Sequence, residues 1–229
     1  MSTVEINDDA KSKKAFNFVV NYTQYPSTDR TIDDREILEK SGHRPASEHI
    51  LIRIFERRTL AVDSETKFDL KDDDVGSFRA FKGDRIFRFS VEDRVFEWGA
   101  AAIDETELRQ ICVLRDDQVF KLERSESADE IVDDETNIDF QGDGTEHLRI
   151  VARPQATITV NKNKVTMRRG WTTGRGIKSA AIAQGVNIRE DFVLDQELPN
   201  GDTQLIGDND PVFVKGGERF GAVDHHEDS

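Results

Sequence analysis

The chain repeats itself, and that limits its folds more than any other feature of its sequence. Residues 62–70 read VDSETKFDL and residues 132–140 read VDDETNIDF, an offset of 70 with five of nine positions identical. Further matches lie in the same order: AFNFVV at 15–20 with IFRFSV at 86–91, and TIDDREIL at 31–38 with AIDETELR at 102–109. Phe78 and Ala80 likewise precede Leu148 and Ile150 by 70. Collinear matches at one period mark a tandem duplication of a supersecondary unit. The last third keeps the layout. TITVNKNKVTM (157–167) alternates and turns back, a helical stretch follows at 172–184, then FVLDQEL (192–198), VFV and RFGAV. This reading gives a disordered leader at 1–14, units at 15–82, 84–151 and 156–223, and a flexible tail at 224–229. The linkers, KGD and ARPQA, are too short for independent tumbling.

Within a unit the periodicity reads as strands and one helix. IFRFSV alternates at period two, Glu92 and Asp93 make the turn, and RVFEW returns, which is a hairpin. Asp104 suits a helix N-cap, with Glu107 placed to reach back in a capping box and Ile103 and Leu108 to form a staple; Ile32, Asp33, Glu36 and Ile37 repeat the pattern. The helix is expected to run about ten residues, ending near Gly42 in the first unit. HILIRIF (49–55) and QVFKLE (118–123) read as strands, and short strands at 68–70 with 78–81, and 138–140 with 147–151, close the units. Apolar residues are 36% and charged residues 34% of the chain, a balance that suits several small cores better than one large one. A short helix across a mixed sheet of four or five strands is an α+β arrangement, the β-grasp, here in three tandem copies.

The second unit carries a family resemblance in GDRIFRFSVEDRVFEWG (83–99) and the following IDETELRQI, and the third in its ending VFVKGGERF. The chain resembles the bacterial multi-ubiquitin-like proteins encoded beside ubiquitin-type conjugation machinery. The resemblance implies a protein modifier rather than an enzyme, with an activating enzyme, a conjugating enzyme, a deubiquitinase-like metallopeptidase and target proteins as partners, in antiphage defence. It implies attachment through residues a few positions past the last strand: Asp224, His225 and His226 form the conjugation tail. Glu227, Asp228 and Ser229 are then an extension that the peptidase removes, leaving a mature end at His226. One departure is plain, because the chain does not end in Gly-Gly. Gly216 and Gly217 precede the last strand, where they read as a turn. The alternative reading is a non-covalent scaffold, with self-association of head-to-tail or filamentous kind.

The remaining features exclude more than they assign. Acidic residues outnumber basic ones 46 to 32, a net charge of −14, which disfavours nucleic-acid binding. No apolar run reaches signal-peptide or membrane-span length, so a cytoplasmic protein without membrane contact is expected. Cys112, the single cysteine, reads as a buried small hydrophobe. His225, His226, Glu227 and Asp228 carry metal-binding side chains, but adjacent residues on a tail do not make a closed site, and no metal or cofactor is expected. GWTTGRGIKS (170–179) lacks the phosphate-loop spacing, and Thr172 or Thr173 as an N-cap explains it better, leaving Gly174 and Gly176 without a reason. The acidic runs KDDD, SADE and DDETN read as solvated edges that discourage strand pairing. No catalytic constellation stands out.

Overall fold

The computed structural model describes residues 16–71, 75–124, 127–140 and 146–224. Among them, three α-helices and six sheets fall into three similar mixed α/β repeats, each with one five-stranded sheet, one helix and one two-stranded sheet. The first repeat runs β1 (Phe16–Val20), β2 (Thr23–Ser27), β3 (Thr31–Asp33), α1 (Asp34–Lys40), β4 (His49–Phe55), β5 (Arg58–Ala61), β6 (Lys67–Asp69) and β7 (Ser77–Lys82). The second runs β8 (Phe87–Val91), β9 (Arg94–Trp98), β10 (Ala102–Asp104), α2 (Glu105–Cys112), β11 (Gln118–Leu122), β12 (Glu130–Ile131), β13 (Asn137–Asp139) and β14 (Glu146–Ala152). The third runs β15 (Gln155–Val160), β16 (Asn163–Arg168), β17 (Gly170–Thr173), α3 (Gly174–Ala183), β18 (Val193–Glu197), β19 (Thr203–Ile206), β20 (Pro211–Val214) and β21 (Arg219–Val223).

The sheet orders are β2–β1–β7–β4–β5, then β12–β11–β14–β8–β9, which is the same order read from its other edge, then β16–β15–β21–β18–β19. In each, the last strand lies in the centre and runs parallel to the first, with Val20 opposite Phe78, Val91 opposite Leu148 and Val160 opposite Phe220. Parallel neighbours cannot be joined by a tight hairpin, so the helix and remaining strands serve as the crossover. The short strands β6 and β13, expected at 68–70 and 138–140, pair with β3 and β10. Those two partners, three residues each, carry too little alternation to be read from sequence.

By packing, the described residues from 16 to 149, apart from 115–121 and 129–136, form one compact body; residues 115–121, 129–136 and 150–224 form the other. In the first body, Phe18, Val20, Ile37, Leu51 and Phe78 fill one core. Phe89, fully buried, stacks on Phe96 at 5.3 Å and Phe140 at 4.5 Å in the next. The edges of β5 and β9 meet here without a backbone ladder. The buried Thr59 hydroxyl donates to the Glu97 carbonyl at 2.7 Å and accepts from the Glu97 N–H at 3.1 Å. The Glu97 carboxylate in turn accepts from the Ala61 N–H at 2.9 Å and pairs with Arg88. Phe81 meets Trp98 edge-on at 4.8 Å, and a Cβ on Gly99 would stand 2.4 Å from the Phe81 ring, which explains that glycine.

The helix caps differ in an informative way. Asp33 and Glu36 form the full capping box. Asp104 accepts from Thr106 and Glu107, but the Glu107 carboxylate does not reach back; it takes the Arg79 guanidinium at 2.7 Å, with Arg79 and Glu107 side chains only 9% and 15% exposed. An ion pair that excludes water is worth more to the glutamate than its own helix terminus.

The second body holds the core of Ile158, Val160, Ile177, Leu194 and Phe220. Thr173 caps α3 through the Gly176 N–H. Both unexplained glycines are places of close approach: a Cβ on Gly174 would lie 2.4 Å from the Gly207 carbonyl oxygen, and one on Gly176 2.4 Å from the Thr172 hydroxyl. The acidic run at 133–134 is not a solvated edge. Asp134 holds Arg153 through two bonds of 2.8 and 2.9 Å, and Asp133 holds Arg169 at 2.6 Å. Asp129 of SADE pairs with Lys121, and 72–74 of KDDD lie outside the described residues. Replacing Phe89 with alanine is predicted to cost about 3–5 kcal/mol in denaturant unfolding, the usual cost of deleting a buried phenylalanine. A loss below about 1 kcal/mol would contradict this packing.

Candidate functional site

The site is the point at which the chain leaves the third repeat. β21 lies between β15, to which it is parallel, and β18, to which it is antiparallel. The parallel register with β15 ends at Val160 and Phe220, and the strand's further backbone groups on that side need other partners. Asn161 supplies them. It sits in the β15–β16 turn with φ +46°, a left-handed conformation that asparagine tolerates. Its backbone N–H donates to the Phe220 carbonyl at 3.0 Å. Its side-chain Oδ1 accepts from the Ala222 N–H at 2.8 Å, and its Nδ2 donates to the Ala222 carbonyl at 2.7 Å. Ala222 is buried.

One residue on, Val223 lies opposite Val193 and is 53% exposed. Asp224 then accepts from Arg189 Nη2 at 2.7 Å, and the Arg189 guanidinium lies over the Phe192 ring. Of the expected tail residues, Asp224 is therefore tied to the fold by an ion pair; His225, His226, Glu227, Asp228 and Ser229 lie outside the described residues. Nearby, buried Lys178 donates to the Glu190 and Phe192 carbonyls and pairs with Asp208, fixing the loop that carries Arg189. Hydrogen bonds from Lys178 and Arg175 hold the Asp208 carboxyl below its ordinary pKa.

Gly216 and Gly217 form the turn between β20 and β21, with φ of +111° and +92°. The Glu218 carboxylate accepts from the Lys215 and Gly216 N–H groups, and the Gly217 N–H donates to Thr157. Cleavage after Gly217 would remove the central strand of the sheet. In the first repeat Asn21 takes the place of Asn161, but only its Oδ1 reaches Ala80, while its amide meets His43. The second repeat has Glu92 at that turn, its N–H donating to the Leu148 carbonyl. Sequence reasoning passed over Asn161; an asparagine at the tip of a hairpin next to a central strand was the available signal.

Other reactive side chains are engaged structurally. Cys112 is buried, and burial pushes its thiol up to about 12. Ser90 Oγ and His147 Nδ1 are 2.6 Å apart across β8 and β14. Ser90 is buried and no third group hydrogen-bonds the imidazole among the described residues, so the pair reads as a cross-strand hydrogen bond. Among the described residues no group of three potential ligands could hold a metal ion, and no helix is long and apolar enough to cross a membrane. No protein-family model matches the chain, and no curated protein does either.

Asn161→Gly keeps the left-handed turn and deletes the clamp, and is predicted to destabilise the protein by about 1–3 kcal/mol in urea, the cost of orphaned buried backbone groups. An unchanged midpoint would show that the clamp carries no weight. Cys112 is expected to resist alkylation at about pH 8 in the native protein and to react at once in denaturant, because only the thiolate is nucleophilic; fast native labelling would contradict its burial.

Proposed function

We propose that the chain is a ubiquitin-like protein modifier of three tandem β-grasp repeats, joined to target proteins through its C-terminal tail in antiphage defence. Activation and transfer fall to cognate activating and conjugating enzymes, and a deubiquitinase-like metallopeptidase removes Glu227, Asp228 and Ser229. The observation that carries this reading is the central, clamped last strand. It holds the chain through Ala222, and the Asp224–Arg189 ion pair is the last described contact before His225 and His226, which supports use of the chain beyond that point. At about 3.3 Å per extended residue, His226 reaches about 10 Å beyond Val223, enough to present a carboxylate away from the sheet. The turn at Gly216 and Gly217 supports the same choice, since use of that diglycine would cost the fold its middle strand.

A second reading, a non-covalent scaffold, is favoured by the edge junction of β5 with β9. The outer edges speak against its head-to-tail growth. Registers place Pro26 on β2 where Glu97 stands on β9, and proline has no N–H to give a threonine hydroxyl. On β16 the same position is Thr166, whose N–H and carbonyl are both taken by the Gln184 side chain at 2.9 and 2.8 Å. Co-expression with its neighbouring activating and conjugating enzymes tests the first reading. The full chain should form conjugates whose junction, by mass spectrometry, lies at His226, and a chain stopped at Val223 should form none. Conjugation by the shortened chain would overturn it.

A further inference from the structure

In a chain with 14 more acidic than basic residues, an arginine has carboxylates to choose from. Among the described residues, the guanidinium groups of Arg57, Arg58, Arg94 and Arg168 are the ones with no hydrogen bond, ion pair or ring contact. Three of these four line one groove. It has a volume of about 550 Å³ and is lined by Arg57, Arg58 and Leu60 from the β4–β5 corner and β5, and by Arg94 and Val95 from β9. Glu56 and Glu97 complete its lining, but Glu97 is already committed to Arg88 and to the Ala61 N–H. The turn geometry holds the arginines together: Arg57 sits at the β4–β5 corner with φ +57°, its backbone N–H donating to the Ile111 carbonyl. Like charges kept side by side repel one another, and an anion relieves that repulsion.

The groove also has an apolar side, and the backbone groups of Val95 face into it toward β5. Val95 is 57% exposed. Glu97 directs its N–H and carbonyl at Thr59, away from β8, and Val95, two residues earlier on the strand, turns its own amide groups to the same side. Those groups have no partner among the described residues. A short peptide entering the groove can meet those amide groups with its own backbone and spread its side chains over the charged and apolar parts of the lining.

We propose that the groove between β5 and β9 docks an extended acidic segment of a partner protein, its carboxylates on Arg57, Arg58 and Arg94 and its alternating apolar residues on Leu60 and Val95. Charge decides the chemistry. The net charge of −14 repels a polyphosphate over its length, whereas a short peptide meets only the local field within a screening length of about 8 Å. Leu60 and Val95 also have no use for a phosphate backbone. The site is separate from the C-terminal tail and stands whether or not the tail is conjugated.

The full chain is titrated with a fluorescein-labelled peptide Gly-Glu-Val-Glu-Val-Glu-Gly and followed by anisotropy. Binding is expected, and it should fade at about 1 M salt, where screening acts over about 3 Å. The triple variant R57A, R58A, R94A should lose roughly tenfold or more in affinity, as expected when charge-assisted bonds are removed, with an unchanged unfolding midpoint. R168A, which removes the unpaired arginine outside the groove, should bind as the parent does. A lysine-for-glutamate peptide should not bind. Equal binding by the triple variant, or no binding by the parent, overturns the proposal. So does an oligothymidylate that binds more tightly than the peptide through the same three arginines, since the groove would then be a phosphate site.

Discussion

Placing the last strand of each repeat in the middle of its sheet, parallel to the first, governs the rest of this structure. A parallel central pair cannot close with a hairpin, so a crossover must carry the chain across the sheet, and the helix is that crossover. Burial on both sides makes the last strand the most costly element to remove. It is also what ends the repeat, so whatever follows starts from the sheet's centre. In the first two repeats the continuation is the next repeat. At the end of the third, Asn161 holds Ala222 and Arg189 holds Asp224.

Equivalent positions in the three repeats have been put to different uses, and the differences are chemical. Glu36 completes its own helix cap while Glu107 pairs with Arg79. The edge position is Pro26, Glu97 or Thr166, and these respectively lack an N–H, share it with Thr59 and give it to Gln184. Each solution settles the same problem, an edge strand with unpaired backbone groups that would otherwise attract other chains. Thr203 on β19 stands in register where Thr59 stands on β5. Duplication thus copied the scaffold, and single substitutions decided which edges meet.

Much of the fold was legible in the sequence because it rests on periodicity. The alternation in IFRFSV and RVFEW marked the β8–β9 hairpin, and the spacing from Asp104 marked the start of α2. The last strand lies at Arg219–Val223, where RFGAV placed it, with Phe220 buried. What stayed hidden depends on partners distant in sequence. β3 and β10 are three residues long and owe their existence to strands that pair with them across the repeat. The capping glutamate at 107 could not reveal that Arg79, 28 residues earlier, would claim it. Asp133 and Asp134 read as solvent-facing, but Arg169 of the following repeat and Arg153 of the linker lie on them. Three arginines without carboxylates are likewise a statement about space, which no local pattern contains.

The central claim is that everything up to Ala222 belongs to the cooperative core, which the proposed use of the tail in place of the diglycine requires. Native-state hydrogen exchange, read residue by residue on the full chain, tests this most directly. The account predicts that the Phe220 and Ala222 amides exchange only through global unfolding, with the same free energy as Val160 on the neighbouring strand. Exchange of those amides through a local opening of β21 that leaves Val160 protected would contradict it, because Gly217 could then be reached without unfolding the repeat.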